Sequence, residues 1–166
     1  MAQDDNMASF VPLANIYPTA GTWTQGVSSN LHTLNHTAAA NSPVLRAPIQ
    51  IPGNLTLYAG AVLKSVDVFW STATLDITDI SVAIFLNNLP LSGGAQSVTS
   101  VAIDYDADHN TTAKRKVIGV HKMSLVLQNG QRMVGDQEVF AEITVACTAT
   151  AVFKLMGIKA NWGLRV

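Results

Sequence analysis

Three aspartates, Asp104, Asp106 and Asp108, alternate through the stretch IDYDADHNTT, and His109 and Asn110 follow them. Carboxylates at alternate loop positions are hard oxygen ligands, so calcium is the ion they would hold. A helix–loop–helix calcium loop places oxygen ligands at its positions 1, 3 and 5, glycine at 6 and glutamate at 12. Counted from Asp104, His109 falls where glycine belongs and Arg115 where glutamate belongs. That motif is excluded. Two readings stay open. One is a structural calcium held between strands by Asp104, Asp106 and Asp108. The other, preferred, is a solvated acidic loop whose charge is partly offset by Lys114, Arg115 and Lys116. No other cofactor is expected.

The remaining chemistry is sparse. His32 and His36 in HTLNH would share one helical face, as zinc ligands can, but Thr33 stands where a metalloprotease helix carries glutamate. The pair reads as two surface histidines. His109 and His121 have no partner identifiable from the sequence. The chain has no G-x-S-x-G elbow, no phosphate-binding glycine loop and no dinucleotide fingerprint. Carboxylate pairs for glycoside cleavage could be assembled from Asp67, Asp76, Asp79, Glu138 and Glu142, as in any β protein. The expectation is a protein that is not an enzyme. Cys147, the single cysteine, sits in an apolar run and reads as a buried thiol. Sequons at Asn35, Asn54 and Asn110 matter only in a glycosylating pathway.

Composition constrains the partners. Of 166 residues, 48% are hydrophobic and only 13% charged, about half the usual charged share of a soluble domain. A surface so poor in charge suggests that other subunits cover much of it. The formal net charge of -1, with no basic stripe, argues against nucleic-acid binding. The segment MAQDDNMASF lacks the basic and apolar regions of a secretory signal. The most apolar window, 139–153, is too short and too polar for a bilayer span. A soluble protein made in the cytoplasm is expected.

Two segments must position whatever site exists. Residues 1–43 are rich in Asn, Ser, Thr and Ala and punctuated by Pro12, Pro18, Gly21, Gly26 and Pro43. They read as an extended N-terminal arm, with a weakly indicated short helix over 28–40 and Trp23 as its anchor. From Val44 onward the period becomes two. Val66, Val68 and Trp70 alternate with Ser65, Asp67 and Phe69; Ile80, Val82, Ile84 and Leu86 alternate with Ser81, Ala83 and Phe85. Val139 to Val145 and Ile158 to Val166 repeat the pattern, which marks half-buried antiparallel strands. Trp70 and Trp162 are in the apolar phase and read as core. Turns are expected at Pro52-Gly53-Asn54, Asn87-Asn88, Pro90 and Ser92-Gly93-Gly94. Asn129-Gly130 is expected to close a type I′ hairpin. Seven or eight strands over 44–166 give an all-β protein, an antiparallel β-sandwich of jelly-roll type behind the arm.

A polar, proline-punctuated arm ahead of a low-charge β-sandwich resembles the virion structural proteins of bacterial and archaeal viruses: jelly-roll capsid shell subunits, decoration proteins and fibre heads. The resemblance is one of organisation over the whole chain. In addition, APIQIPGNLTLYAGAVLKSVDVFW and FKLMGIKANWGLRV look like the first and last strands of sandwich modules in phage and bacterial surface proteins. Neither match transfers a functional residue. The resemblance implies a virion protein, made in the host cytoplasm, that assembles as a homo-oligomer around a local axis, often threefold (a trimer). Its partners would be further copies and other virion proteins, with no nucleic acid and no membrane span. The alternative it implies is a carbohydrate- or receptor-binding sandwich module of a phage fibre.

Overall fold

The computed structural model describes residues 4–28, 31–38, 42–50, 61–89, 94–132, 137–148 and 151–165. Twelve strands lie among them: β1 (Asp4–Val11), β2 (Tyr17–Ala20), β3 (Trp23–Ser28), β4 (Leu31–Ala38), β5 (Val44–Ile49), β6 (Val62–Thr72), β7 (Ile77–Asn88), β8 (Ser97–Val101), β9 (Ile103–Tyr105), β10 (Gly119–Arg132), β11 (Gln137–Cys147) and β12 (Ala151–Arg165). One short α-helix, α1 (Thr112–Arg115), and a 3-10 turn over Leu13–Asn15 interrupt them. A seven-stranded sheet runs β3-β4-β12-β6-β10-β9, with β1 also on β12, and a five-stranded sheet runs β2-β5-β11-β7-β8. All pairings are antiparallel. The two sheets form the expected β-sandwich, with eight strands in 44–166. Among the described residues no helix is long and apolar enough to cross a membrane.

The pleat explains which residues face inward. Val66, Val68 and Trp70 of β6, Met123 and Leu125 of β10, and Phe153, Ile158 and Trp162 of β12 are fully buried. Leu45, Ile80, Ile84, Ala141 and Ile143 of the other sheet join them in one core. Each large side chain removed from water there contributes roughly 1.5–3 kcal/mol before entropy is counted. Trp70 and Trp162 are core residues, as their phase required.

The described parts of the first 43 residues form β1 to β4 and the 3-10 turn over Leu13–Asn15, and these strands are bonded into the sandwich. β4 pairs with β12 over residues 151–155 and β1 pairs with it over 158–165, while β2 joins β5 in the opposite sheet. The short helix expected over 28–40 is replaced by β4, because β12 offers it an unpaired edge and Leu34 and His36 alternate inward. The turn expected at 52–54, Pro90 and the Ser92-Gly93 part of its turn lie outside the described residues.

Asn129-Gly130 does not close a hairpin. Both residues sit inside β10, where pairing with β6 shifts between Val126 and Gln131. The glycine is needed for close approach rather than for a turn: a Cβ on Gly130 would stand 2.6 Å from Val62 Cγ1. Gly130→Ala should therefore lower stability by about 1–3 kcal/mol in urea unfolding. In a Val62→Ala background, which opens that space, the same change should cost clearly less.

Candidate functional site

Two gatherings of polar side chains bear on what the molecule could do. The first is the loop carrying the three aspartates. Asp104 lies in the outward phase of β9, where its Oδ1 accepts from Gln128 Nε2–H at 2.8 Å. Asp106 follows the end of β9 and turns inward. Its Oδ2 accepts from Ser124 N–H at 2.6 Å, and its Oδ1 accepts from Asp108 N–H at 3.0 Å and lies 2.7 Å from His109 Nδ1. Asp108 is exposed. Both Asp106 oxygens are thus engaged by the protein. Among the described residues no three His, Cys, Asp or Glu side chains are grouped as metal ligands. Burial alone would raise the Asp106 carboxyl, but the Ser124 N–H, the His109 ring and the Asp108 N–H together outweigh it and hold the group below the usual carboxylate range.

His109 and His121, without visible partners in the sequence, find each other: His109 Nε2 stands 3.3 Å from His121 Nδ1. The His121 ring stacks on Trp70 with centroids 5.0 Å apart. Beside them, buried Arg115 ties the loop to the opposite sheet. Its Nη2 donates to Asp79 Oδ1 at 2.9 Å and its Nε to the Ile80 carbonyl at 2.6 Å. Tyr105, under the Arg115 guanidinium at 4.8 Å, donates to Val82 O and accepts from Val82 N–H. These contacts answer a specific need. β8 stops opposite Ile84, so among the described residues no strand lies beside β7 on that edge at Ile80 and Val82, and buried backbone groups must be paired.

The second place is the outward face of the five-stranded sheet. Phe85 of β7 and Phe140 of β11 stand directly opposite each other in the outward phase, which on these strands otherwise carries polar side chains and alanine. Their rings stack with centroids 5.3 Å apart and planes 23° apart. Arg46 of β5 covers the far side of Phe140 at 5.2 Å and its Nε donates to Glu142 Oε2 at 2.8 Å. Beyond the rings, Gln96 Nε2 donates to Asn87 Oδ1 at 2.7 Å, and Asn87 Nδ2 to Glu138 Oε2 at 3.1 Å. Tyr17, half exposed on edge strand β2, lies opposite Arg46. The result is an aromatic stack bordered on two sides by planar hydrogen-bonding groups. The signal for it was an aromatic in the outward phase of two neighbouring strands.

The other residues singled out from sequence are dispersed. His36 is not a surface residue: it is fully buried, with Nδ1 2.8 Å from the Thr22 carbonyl and its ring 5.2 Å from Trp23. Its strand conformation places it about 13 Å from position 32 along the chain, too far to act as a helical pair. The His32 side chain lies outside the described residues. Cys147 is buried, 3.9 Å from His36 Nε2. Asp67 faces out of the seven-stranded sheet but is buried among Ser124, Lys122 and Lys159. The carboxylates Asp67, Asp79, Glu138 and Glu142 are each held by separate partners.

No family model and no curated protein sequence matches the chain. Among solved structures, an arabinose-bound α-L-arabinofuranosidase, MgGH51, overlays 90% of this chain at 10% identity and a TM-score of 0.41, and the chain spans only 23% of that enzyme. TmCBM27, a carbohydrate-binding module that recognises mannan, overlays 96% of this chain and 98% of its own length at 6% identity and a TM-score of 0.45. A low-affinity xylan-binding module, CBM86 from Roseburia intestinalis, overlays 97% and 96% at 12% identity and a TM-score of 0.37. These likenesses stop at the outline of a sandwich, and no residue or ligand is carried over from them.

Two outcomes follow from the loop. Tyr105→Phe deprives the Val82 backbone of both its partners and should lower stability by about 1–3 kcal/mol, read from the urea midpoint. A carboxylate held low when folded adds stability above the pH at which it titrates unfolded, and that part is lost as pH falls through its folded value. Stability should therefore decline with acidification below the usual carboxylate range, and decline less steeply in Asp106→Asn.

Proposed function

We propose that the chain is a non-catalytic carbohydrate-binding β-sandwich whose contact surface is the outward face of the five-stranded sheet. The observation that carries this reading is the Phe85–Phe140 stack set between the Arg46–Glu142 pair and the Gln96–Asn87–Glu138 chain. A sugar ring has an apolar C–H face and a rim of hydroxyls. Rings in the outward phase supply the apolar contact, and bordering carboxylates, amides and a guanidinium supply hydrogen bonds that fix orientation.

Geometry weighs against hydrolysis at this face. Glu138 and Glu142 lie four residues apart on one strand, with Cα positions about 13 Å apart. Each is drawn toward a partner on a neighbouring strand, whereas glycosidic cleavage needs two carboxyls about 5–9.5 Å apart.

Isothermal titration against a panel of neutral oligosaccharides tests the reading. At least one should bind, and Phe85→Ala or Phe140→Ala should weaken it about tenfold, the equivalent of a lost apolar contact of ~1.4 kcal/mol. Absence of binding across the panel, or variants that bind unchanged, would sink the proposal.

A second reading, self-assembly as a virion shell or decoration subunit, is favoured by one observation. The outward face of the seven-stranded sheet exposes Phe10 (71%) and Val120 (75%), with Val126 on the same strand as Val120. Under that reading, light scattering gives a defined oligomer that dissociates in a Phe10→Ser, Val120→Ser double variant. A monomer in both forms excludes it.

A further inference from the structure

Four ring nitrogens stand in line between two atoms that can only accept. Asp106 Oδ1 lies 2.7 Å from His109 Nδ1, His109 Nε2 lies 3.3 Å from His121 Nδ1, and His121 Nε2 lies 2.7 Å from the Val117 carbonyl oxygen. Neither an ionised carboxylate nor a carbonyl carries a hydrogen. All three contacts are hydrogen bonds only if the four nitrogens share three hydrogens. Two neutral imidazoles bring two. With only two, a ring lone pair faces either an acceptor at one end of the line or a second ring lone pair in the middle. The acceptor so faced, Asp106 Oδ1 or the Val117 carbonyl, then keeps only its other donor, Asp108 N–H or Thr72 Oγ1–H.

The surroundings accommodate one extra positive charge. From the loop, the Asp106 carboxylate touches His109. Arg115 approaches only the His109 backbone, donating from Nη1 to its carbonyl at 3.1 Å, and its own charge is answered by Asp79 of β7. Lys114 turns to Ala107 O and Asn110 Oδ1. From β6, the facing groups are the uncharged Trp70 and Thr72, and the Trp70 ring lies against both imidazoles, a favourable neighbour for a cation. From β10, the Ser124 N–H braces Asp106, while Lys122 lies on the opposite face with Asp67. From β9, Tyr105 lies under Arg115.

We propose that the loop over residues 106–118 is locked in place by one proton shared between His109 and His121, and that loss of this proton at rising pH loosens the loop and uncovers the edge of β7. His109 is buried, so water poorly replaces a hydrogen bond broken there. The consequence reaches the other sheet, because the same loop carries Arg115 onto the Ile80 carbonyl. An uncovered strand edge is a template for pairing with another chain. The loop is thereby a pH-sensitive guard on one edge of the sandwich.

The test uses the full chain labelled with nitrogen-15. Imidazole nitrogen spectra across pH report the hydrogens on each ring, and hydrogen exchange reports the amides of Lys114, Arg115 and Lys116, which bond to Thr111 and Thr112 carbonyls. The expected result is three ring hydrogens below the transition and two above it, lost as one event. Exchange protection at residues 114–116, corrected for intrinsic rates, should fall about fivefold across it, matching one hydrogen bond of ~1 kcal/mol. His121→Gln should flatten that response, since an amide can donate to His109 Nε2 without a third proton. Two neutral rings throughout the range where Asp106 is ionised would overturn the proposal. So would an unchanged response in His121→Gln.

Discussion

The molecule depends on one constraint: every strand of a sandwich must bury one phase of its side chains and leave the other outside. Trp70, Phe153 and Trp162 from one sheet and Leu45, Ile84 and Ile143 from the other are completely removed from water within a single core. A one-residue slip in any central strand would exchange the two phases. Once that register is set, the outward residues are set too. Phe85 and Phe140 cannot join the core without dragging their strands out of register, so their place on the outward five-stranded face is a consequence of the burial of Ile84, Leu86, Val139 and Ala141.

The same burial creates the problem that the aspartate loop solves. β8 and β9 are two short strands separated by Ala102, and they belong to different sheets. The chain crosses between sheets there, and among the described residues no strand lies beside the Ile80–Val82 edge of β7 on that side. Tyr105 and Arg115 supply side-chain partners in place of a strand. The acidic stretch is therefore part of a brace between sheets, with Asp106 as its hinge to β10.

Much of this was legible in the sequence because alternation is local. A sandwich of seven or eight strands over 44–166, the inward tryptophans and the buried cysteine followed from period two and the turn residues between the runs. What was not legible depended on pairing across long separations. β4 is a strand because β12, more than a hundred residues later, lies beside it, and nothing in HTLNHTA announces that. Asn129-Gly130 looks like a turn, yet its glycine serves a close approach to Val62. His109 and His121 meet only because α1 folds the intervening residues back. Phe85 and Phe140 were visible in the outward phase of their strands, but their stacking required knowing that β7 and β11 are neighbours.

The proposed function rests on the five-stranded face, where apolar rings and planar polar groups share a surface that the core cannot absorb. Amide shift mapping during titration with a neutral oligosaccharide is the decisive measurement. Perturbations are expected to centre on Arg46, Phe85, Asn87, Phe140 and Glu142, with the seven-stranded face silent. Perturbations confined to the seven-stranded face, or a spectrum unmoved by every sugar tried, would refute sugar binding at this surface.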